Sequence, residues 1–93
     1  DRAYMQEKDE QVISHLKEID DLLNHLSKGW KTSRMARVDL TALRLSVYEL
    51  KYEEEIPTKV SINEAVELAK RFGGEDSFAF VNGILGRVAK ELR

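Results

Sequence analysis

Apolar residues recur at helical spacing in four stretches of the chain. In the first, Val12, Leu16, Ile19, Leu23 and Leu26 stand at 4-3-4-3 intervals, and Tyr4 and Met5 extend the row one turn back. Such a row is the narrow seam of one long helix near 5–28, with Glu7, Lys8, Asp9, Glu10, Lys17, Glu18, Asp20 and Asp21 mostly on the other faces. Fewer than three heptads suit packing inside a bundle better than a dimeric coiled coil. Gly29 breaks the helix and Trp30 follows on the connection. Lys31-Thr32-Ser33-Arg34 then opens a basic turn with a short helical piece near 32–36. From Val38 the apolar positions widen: Val38, Ala42, Leu45 and Glu49 mark one face, Leu43, Val47 and Leu50 another, with Leu40 and Tyr48 between. A helix apolar over most of its circumference is surrounded by others, so 38–53 is expected to be central.

The third and fourth stretches lie in IPTKVSINEAVELAKRFGGEDSFAFVNGIL, residues 56–85. Pro57 opposes continuation of the preceding helix. Ser61 and Glu64 fit a capping box for a helix over 61–72, with Ile62, Ala65, Val66, Ala69 and Phe72 on its apolar face. Gly73-Gly74 stops it, and Glu75, Asp76 or Ser77 caps a last helix near 76–92 that turns Val81, Ile84, Leu85, Val88 and Leu92 inward. Gly83, costly inside a helix, predicts a backbone packed closely against it. No strand alternation and no repeat is visible, so the fold class is all-α, a helical bundle of about four main helices in a single domain over 1–93.

Composition narrows the function without naming it. The 93 residues are 42% hydrophobic and 34% charged, the pattern of a soluble globular protein, and the net charge of −2 argues against a generic polyanion binder. Zero cysteines exclude disulfides and thiol catalysis and fit a reducing compartment. No apolar run approaches the ~18–20 residues of a membrane span. The expectation is a cytoplasmic protein with no membrane segment.

No enzyme constellation is present. His15 and His25 fall nearly opposite on their helix and in no metal-ligand spacing, so neither a metal nor a cofactor is expected. Glu64 and Glu67 could pair, but capping and solvation account for them. Glu53-Glu54-Glu55 reads as a solvated loop, since adjacent carboxylates point apart. The glycines lack the strand that a phosphate-binding loop needs. A nucleic-acid reading goes further. Lys70 and Arg71 end one helix beside the free N–H groups that begin the next, a place that favours phosphate. Phe78 and Phe80 follow, and an exposed aromatic there could stack on an unpaired base. Asp76 suits a base edge, where a carboxylate accepts from amino groups. The competing reading makes Phe80 core and lets Lys70 and Arg71 complement the helix dipole. Arg34 and Arg37 form a second basic spot, which also reads as a solvated face.

Four segments carry a resemblance: Trp30-x₃-Arg34; Val38-Asp39-Leu40-x₂-Leu43-Arg44-Leu45-x₂-Tyr48-Glu49-Leu50; the run from Ile56 to Gly73; and Asp76-Ser77-x₂-Phe80-Val81-Asn82-Gly83-Ile84-Leu85. Together they resemble the bacterial transcription antitermination factor family NusB, over roughly residues 12 to 90. The resemblance implies an all-helical fold of two packed bundles and no catalysis. It implies binding of the boxA element of ribosomal RNA leader transcripts as a heterodimer with NusE, which is also a small-subunit ribosomal protein, in a complex with NusA, NusG and RNA polymerase. Carried over by position, it puts RNA contact at Asp76, Ser77 and Phe80, and the NusE surface at Asp39 and Glu64 with Arg44 and Asn63 as neighbours. Lys8-Asp9 and Gln11 depart from the family's habit at the start of the chain.

Family members are about half as long again, and an N-terminal pair of helices opening with an arginine-rich stretch has no counterpart here. The chain is therefore expected to be an N-terminally truncated fragment with an exposed side, prone to pair with another copy. Two other functions remain open: the helical module of an RNA cytosine methyltransferase, which shares this fold, and a helical oligomerisation domain without RNA binding.

Overall fold

The computed structural model describes residues 10–27 and 29–93. A helical stretch at 10–14 leads into α1 (Leu16–Leu26), with a turn at His15 between them. The His15 amide donates to the Val12 carbonyl at 3.1 Å, a bond to the third residue back that tightens the chain, and the Ile19 amide resumes α-helical bonding to His15 at 3.0 Å. The single long helix expected near 5–28 is thus interrupted, and its part before residue 10 lies outside the described residues. Ile19 and Leu23 are the buried centre of the seam, and Val12 and Leu26 are half-buried at its ends. Beyond Ser27, Gly29 turns the chain at φ 98°, a left-handed conformation that costs glycine little. The Asn24 side chain accepts the Thr32 amide at 2.8 Å and so ties the 3₁₀ turn Thr32–Arg34 to α1.

α2 (Arg37–Tyr52) is central, as its wide apolar face predicts: Ala42, Leu43, Val47 and Leu50 are buried between α1 and α3 (Thr58–Leu92). Its packing against α3 contains a polar joint. Ser46, Glu49 and Ser61 are all buried; the Ser61 hydroxyl lies 2.9 Å from that of Ser46 and donates to Glu49 Oε1 at 2.8 Å. A buried carboxylate needs such a donor, because desolvating it alone is expensive. This joint overturns the capping box expected at Ser61. The Ser61 amide bonds to the Pro57 carbonyl at 3.1 Å, so the helix begins one turn earlier, at Thr58, and the Ser61 hydroxyl serves α2 rather than the helix end. Pro57 fits the boundary, since φ −59° and ψ 141° are natural to it and the start of a helix has no use for its missing N–H.

The two helices expected over 61–72 and 76–92 are both present, as the arms 58–73 and 75–92 of α3, separated at Gly74 by a residue with non-helical φ and ψ. The two glycines are required for different reasons. Gly74 holds φ 85° and ψ −168°, a region essentially closed to residues with a Cβ. Gly73 is there for space: a Cβ would stand 2.2 Å from Ser77 Oγ, 2.7 Å from Ser77 Cβ and 3.1 Å from Val38 Cγ1. At Gly83 the close packing expected is not found, for nothing among the described residues comes within 4 Å of its Cβ position. Phe72 also differs from expectation. It shares the apolar face of Ala65, about two turns earlier, but is 67% exposed, because no described residue covers that last turn. At the far end, Arg93 donates to the carbonyls of Leu50 at 3.2 Å, Ile56 at 2.8 Å and Glu53 at 3.2 Å, closing the end of α2 against the end of α3. Among the described residues no helix is long and apolar enough to cross a membrane.

Candidate functional site

The bend at Gly74 brings the end of the first α3 arm, the start of the second and the start of α2 to one place, with Val38 against Gly73. Gly73, Gly74, Glu75 and Asp76 are exposed, so the hinge lies at the surface. Around it Lys70 Nζ stands 3.6 Å from Glu75 Oε1 and 5.6 Å from the centre of the Phe78 ring, while the Arg71 guanidinium lies 5.6 Å from the Phe72 ring. An exposed pair such as Lys70–Glu75 is worth little in water, so an incoming phosphate can displace the carboxylate cheaply. Two exposed cations, each near an aromatic ring, thus stand in the last turn before the bend.

The other site residues differ in setting. Asp76 is exposed, whereas Ser77 is buried beneath Gly73 with its hydroxyl turned into the bend. Phe80 is half-buried on the second arm and meets Trp30 edge to face, ring centres 5.8 Å apart at 78°. Its two readings, core and ligand contact, are therefore not exclusive. Trp30 is 54% exposed and held by its backbone: its carbonyl accepts the Ser27 hydroxyl and its amide donates to the Ser27 carbonyl at 3.4 Å. Arg34 and Arg37, the second basic spot, are exposed before α2.

A separate polar cluster joins α1 to the end of α2. The Tyr52 hydroxyl donates to Glu18, Lys51 Nζ lies 3.6 Å from the same carboxylate, and the His15 ring stacks on Tyr52 at 4.3 Å. The hydrogen bond from Tyr52, with help from Lys51 and His15, holds Glu18 below the usual carboxylate range. The same bond pushes Tyr52 up to about 12. Among the described residues no group of three His, Cys, Asp or Glu side chains is placed to hold a metal ion.

The sequence matches the NusB family model over residues 1–90. The chain belongs to the NusB family. It is 57% identical over 89 residues to the transcription antitermination protein NusB of Agathobacter rectalis, covering 96% of this chain and 68% of that one. The NusB of Myxococcus xanthus is 58% identical over 83 residues, 89% of this chain and 59% of its own. The solved structure of T. maritima NusB matches with a TM-score of 0.82 at 49% identity, over 86% of this chain and 56% of that one. The chain thus has the NusB fold, and it spans a little over half to two thirds of the length of these relatives.

Of the residues that the NusB resemblance assigns to a protein partner, Asn63 and Glu64 are exposed on the first arm of α3, with Glu64 beside Leu68 and Phe72 in a shallow groove. Arg44 is engaged within the chain: its Nε and Nη2 donate to Asp20 at 2.9 and 2.7 Å, which raises its pKa and braces α2 on α1. Asp39 is only 8% exposed, at the start of α2 next to Val38, and its Oδ1 has no hydrogen-bond partner among the described residues. Sequence patterning does not pair Trp30 with Phe80, set Arg87 at the Leu26 carbonyl or lay Arg93 across the ends of α2 and α3. Only Trp30, the sole tryptophan and set just after a glycine break, carried a visible signal.

Proposed function

We propose that this chain acts in transcription antitermination, binding the boxA element of ribosomal RNA leader transcripts together with the ribosomal protein NusE. The antitermination role follows from the relatives, which are NusB transcription antitermination proteins. The observation that carries the RNA reading is the surface hinge at Gly74, where Lys70 and Arg71 stand exposed beside aromatic rings and Asp76 is exposed at the start of the second arm. In this reading Lys70 and Arg71 meet phosphate, Asp76 accepts from a base edge, Phe80 stacks, and Ser77 shapes the bend beneath them. Asn63 and Glu64 face NusE, Asp39 offers it only a small exposed edge at the start of α2, and Arg44 positions α2 for that contact. NusA, NusG and RNA polymerase complete the assembly in the cytoplasm, and no catalytic step is assigned to this chain.

Titration of labelled boxA RNA with and without NusE tests the proposal. Binding that requires or is strengthened by NusE, and that weakens as salt rises, is expected. A flat salt response removes the phosphate contacts, and no binding in either condition favours a helical oligomerisation domain instead. The exposed Phe72 beside Leu68 favours that second reading to the extent of self-association between copies.

A further inference from the structure

Gly83 sits within the second arm of α3, where glycine is a poorer helix former than alanine, yet no described atom approaches its Cβ position within 4 Å. What the missing side chain leaves is room. Gly83 lines a cleft of about 270 Å³ together with Trp30, Phe80, Ala79, Ile84 and Arg87. That volume falls just below the ~300–1,000 Å³ of pockets for drug-sized ligands and suits a single ring system. Its walls are chemically specific. The Trp30 ring is more than half exposed, and Phe80 meets it edge-on. Arg87 donates from Nη1 to the Leu26 carbonyl at 3.1 Å, which fixes the guanidinium at the rim with one of its five N–H donors spent.

We propose that this cleft is a nucleobase subsite, in which one unpaired base of a single-stranded RNA stacks on Trp30 in the space over Gly83 and Arg87 meets an acceptor on the base or its phosphate. The inference rests on the RNA-binding reading above and goes beyond it, since that reading uses none of Trp30, Gly83 and Arg87. An aromatic face, a guanidinium and an open strip of helix backbone form the recognition chemistry of unstacked bases. A purely hydrophobic side chain would find no use for Arg87.

Trp30 is the only tryptophan, so its emission reports on the cleft directly. Labelled boxA RNA is titrated into the full chain while RNA anisotropy and Trp30 fluorescence are read together, with a tryptophan-free form of the ribosomal protein added in a second arm. The expected result is quenching that tracks the anisotropy. One abasic position in the RNA should abolish the quench and weaken binding about tenfold or more, the scale of one aromatic–base stack. Gly83→Leu should have the same two effects while melting no lower than the parent, which separates a filled cleft from a broken fold. RNA binding with Trp30 emission unchanged overturns the subsite and leaves the RNA-binding reading standing. No anisotropy change in either arm removes the RNA-binding reading and the subsite with it. A Trp30 response to the ribosomal protein alone, unaltered by RNA, assigns the cleft to a protein contact and also overturns the subsite.

Discussion

The same substitution, glycine to alanine, should move stability in opposite directions at two positions of α3, one at the bend and one within the second arm. In an unconstrained helix interior the change gains about 0.5–1 kcal/mol, because alanine loses less backbone entropy on folding. Gly83 meets that condition, with nothing within 4 Å of the added carbon. Gly73 does not: the new Cβ would lie 2.2 Å from Ser77 Oγ and 2.7 Å from Ser77 Cβ, far inside the roughly 3.5–4.0 Å of an ordinary contact. Ser77 is buried and Val38 stands behind, so the hinge can relieve the overlap only by shifting. Overpacking of this kind costs about 1–3 kcal/mol, which leaves Gly73→Ala destabilised by up to about 2.5 kcal/mol after the entropic gain. For a chain of this size that is a fall in Tm of up to roughly 20 °C, against a rise of roughly 2–8 °C for Gly83→Ala. Urea and thermal denaturation followed by circular dichroism read both. Adding Ser77→Ala to Gly73→Ala should recover part of the loss, as the nearer of the two clashing atoms is gone. If Gly73→Ala proves as stable as Gly83→Ala, the steric account of the hinge is wrong.

Other consequences are equally open to measurement. Ser61→Ala withdraws a donor from buried Glu49 and should cost about 1–3 kcal/mol in urea denaturation; a change within a few tenths would mean that the polar joint does not matter. Arg93→Ala removes a charged cap shared by several carbonyls at the end of α2. A loss of about 1–2 kcal/mol is expected, with hydrogen exchange rising first at residues 50–58, and uniform exchange would contradict a local cap. Tyr52 carries a raised pKa of about 12 from its bond to Glu18, so that bond contributes stability below the ordinary tyrosine pKa and loses it as pH climbs toward 12. A spectrophotometric titration should show a late tyrosine component that shrinks in Tyr52→Phe and moves earlier in Glu18→Gln; a profile unchanged by both substitutions would refute it.

Much of this fold is legible in the sequence because apolar periodicity reports local geometry. The breadth of apolar positions between Val38 and Leu50 marks α2 as central, and Ala42, Leu43 and Val47 are fully buried. Gly73-Gly74 marks the bend. The misreadings arise where a residue's partner is distant in sequence. Ser61 and Glu64 have capping-box spacing, but Ser46 and Glu49, fifteen and twelve residues earlier, compete for the hydroxyl and win it by burial. Phe72 has the correct helical phase, and phase cannot tell whether anything covers the last turn. Gly83 suggests crowding from propensity alone, whereas the structure has space there. The hinge cluster is partly readable, since Lys70, Arg71, Asp76 and Phe80 lie close in sequence. The Trp30–Phe80 pairing spans fifty residues and needs the fold to bring it together.

The central claim is that the bent end of α3 is the surface a transcript touches. Amide chemical-shift mapping of the chain with NusE, before and after boxA RNA, tests it most directly. The account predicts RNA-dependent shifts concentrated at residues 70–80 and around Trp30 and Arg87. Shifts confined to α1 and the 53–57 loop, with the hinge silent, would contradict it.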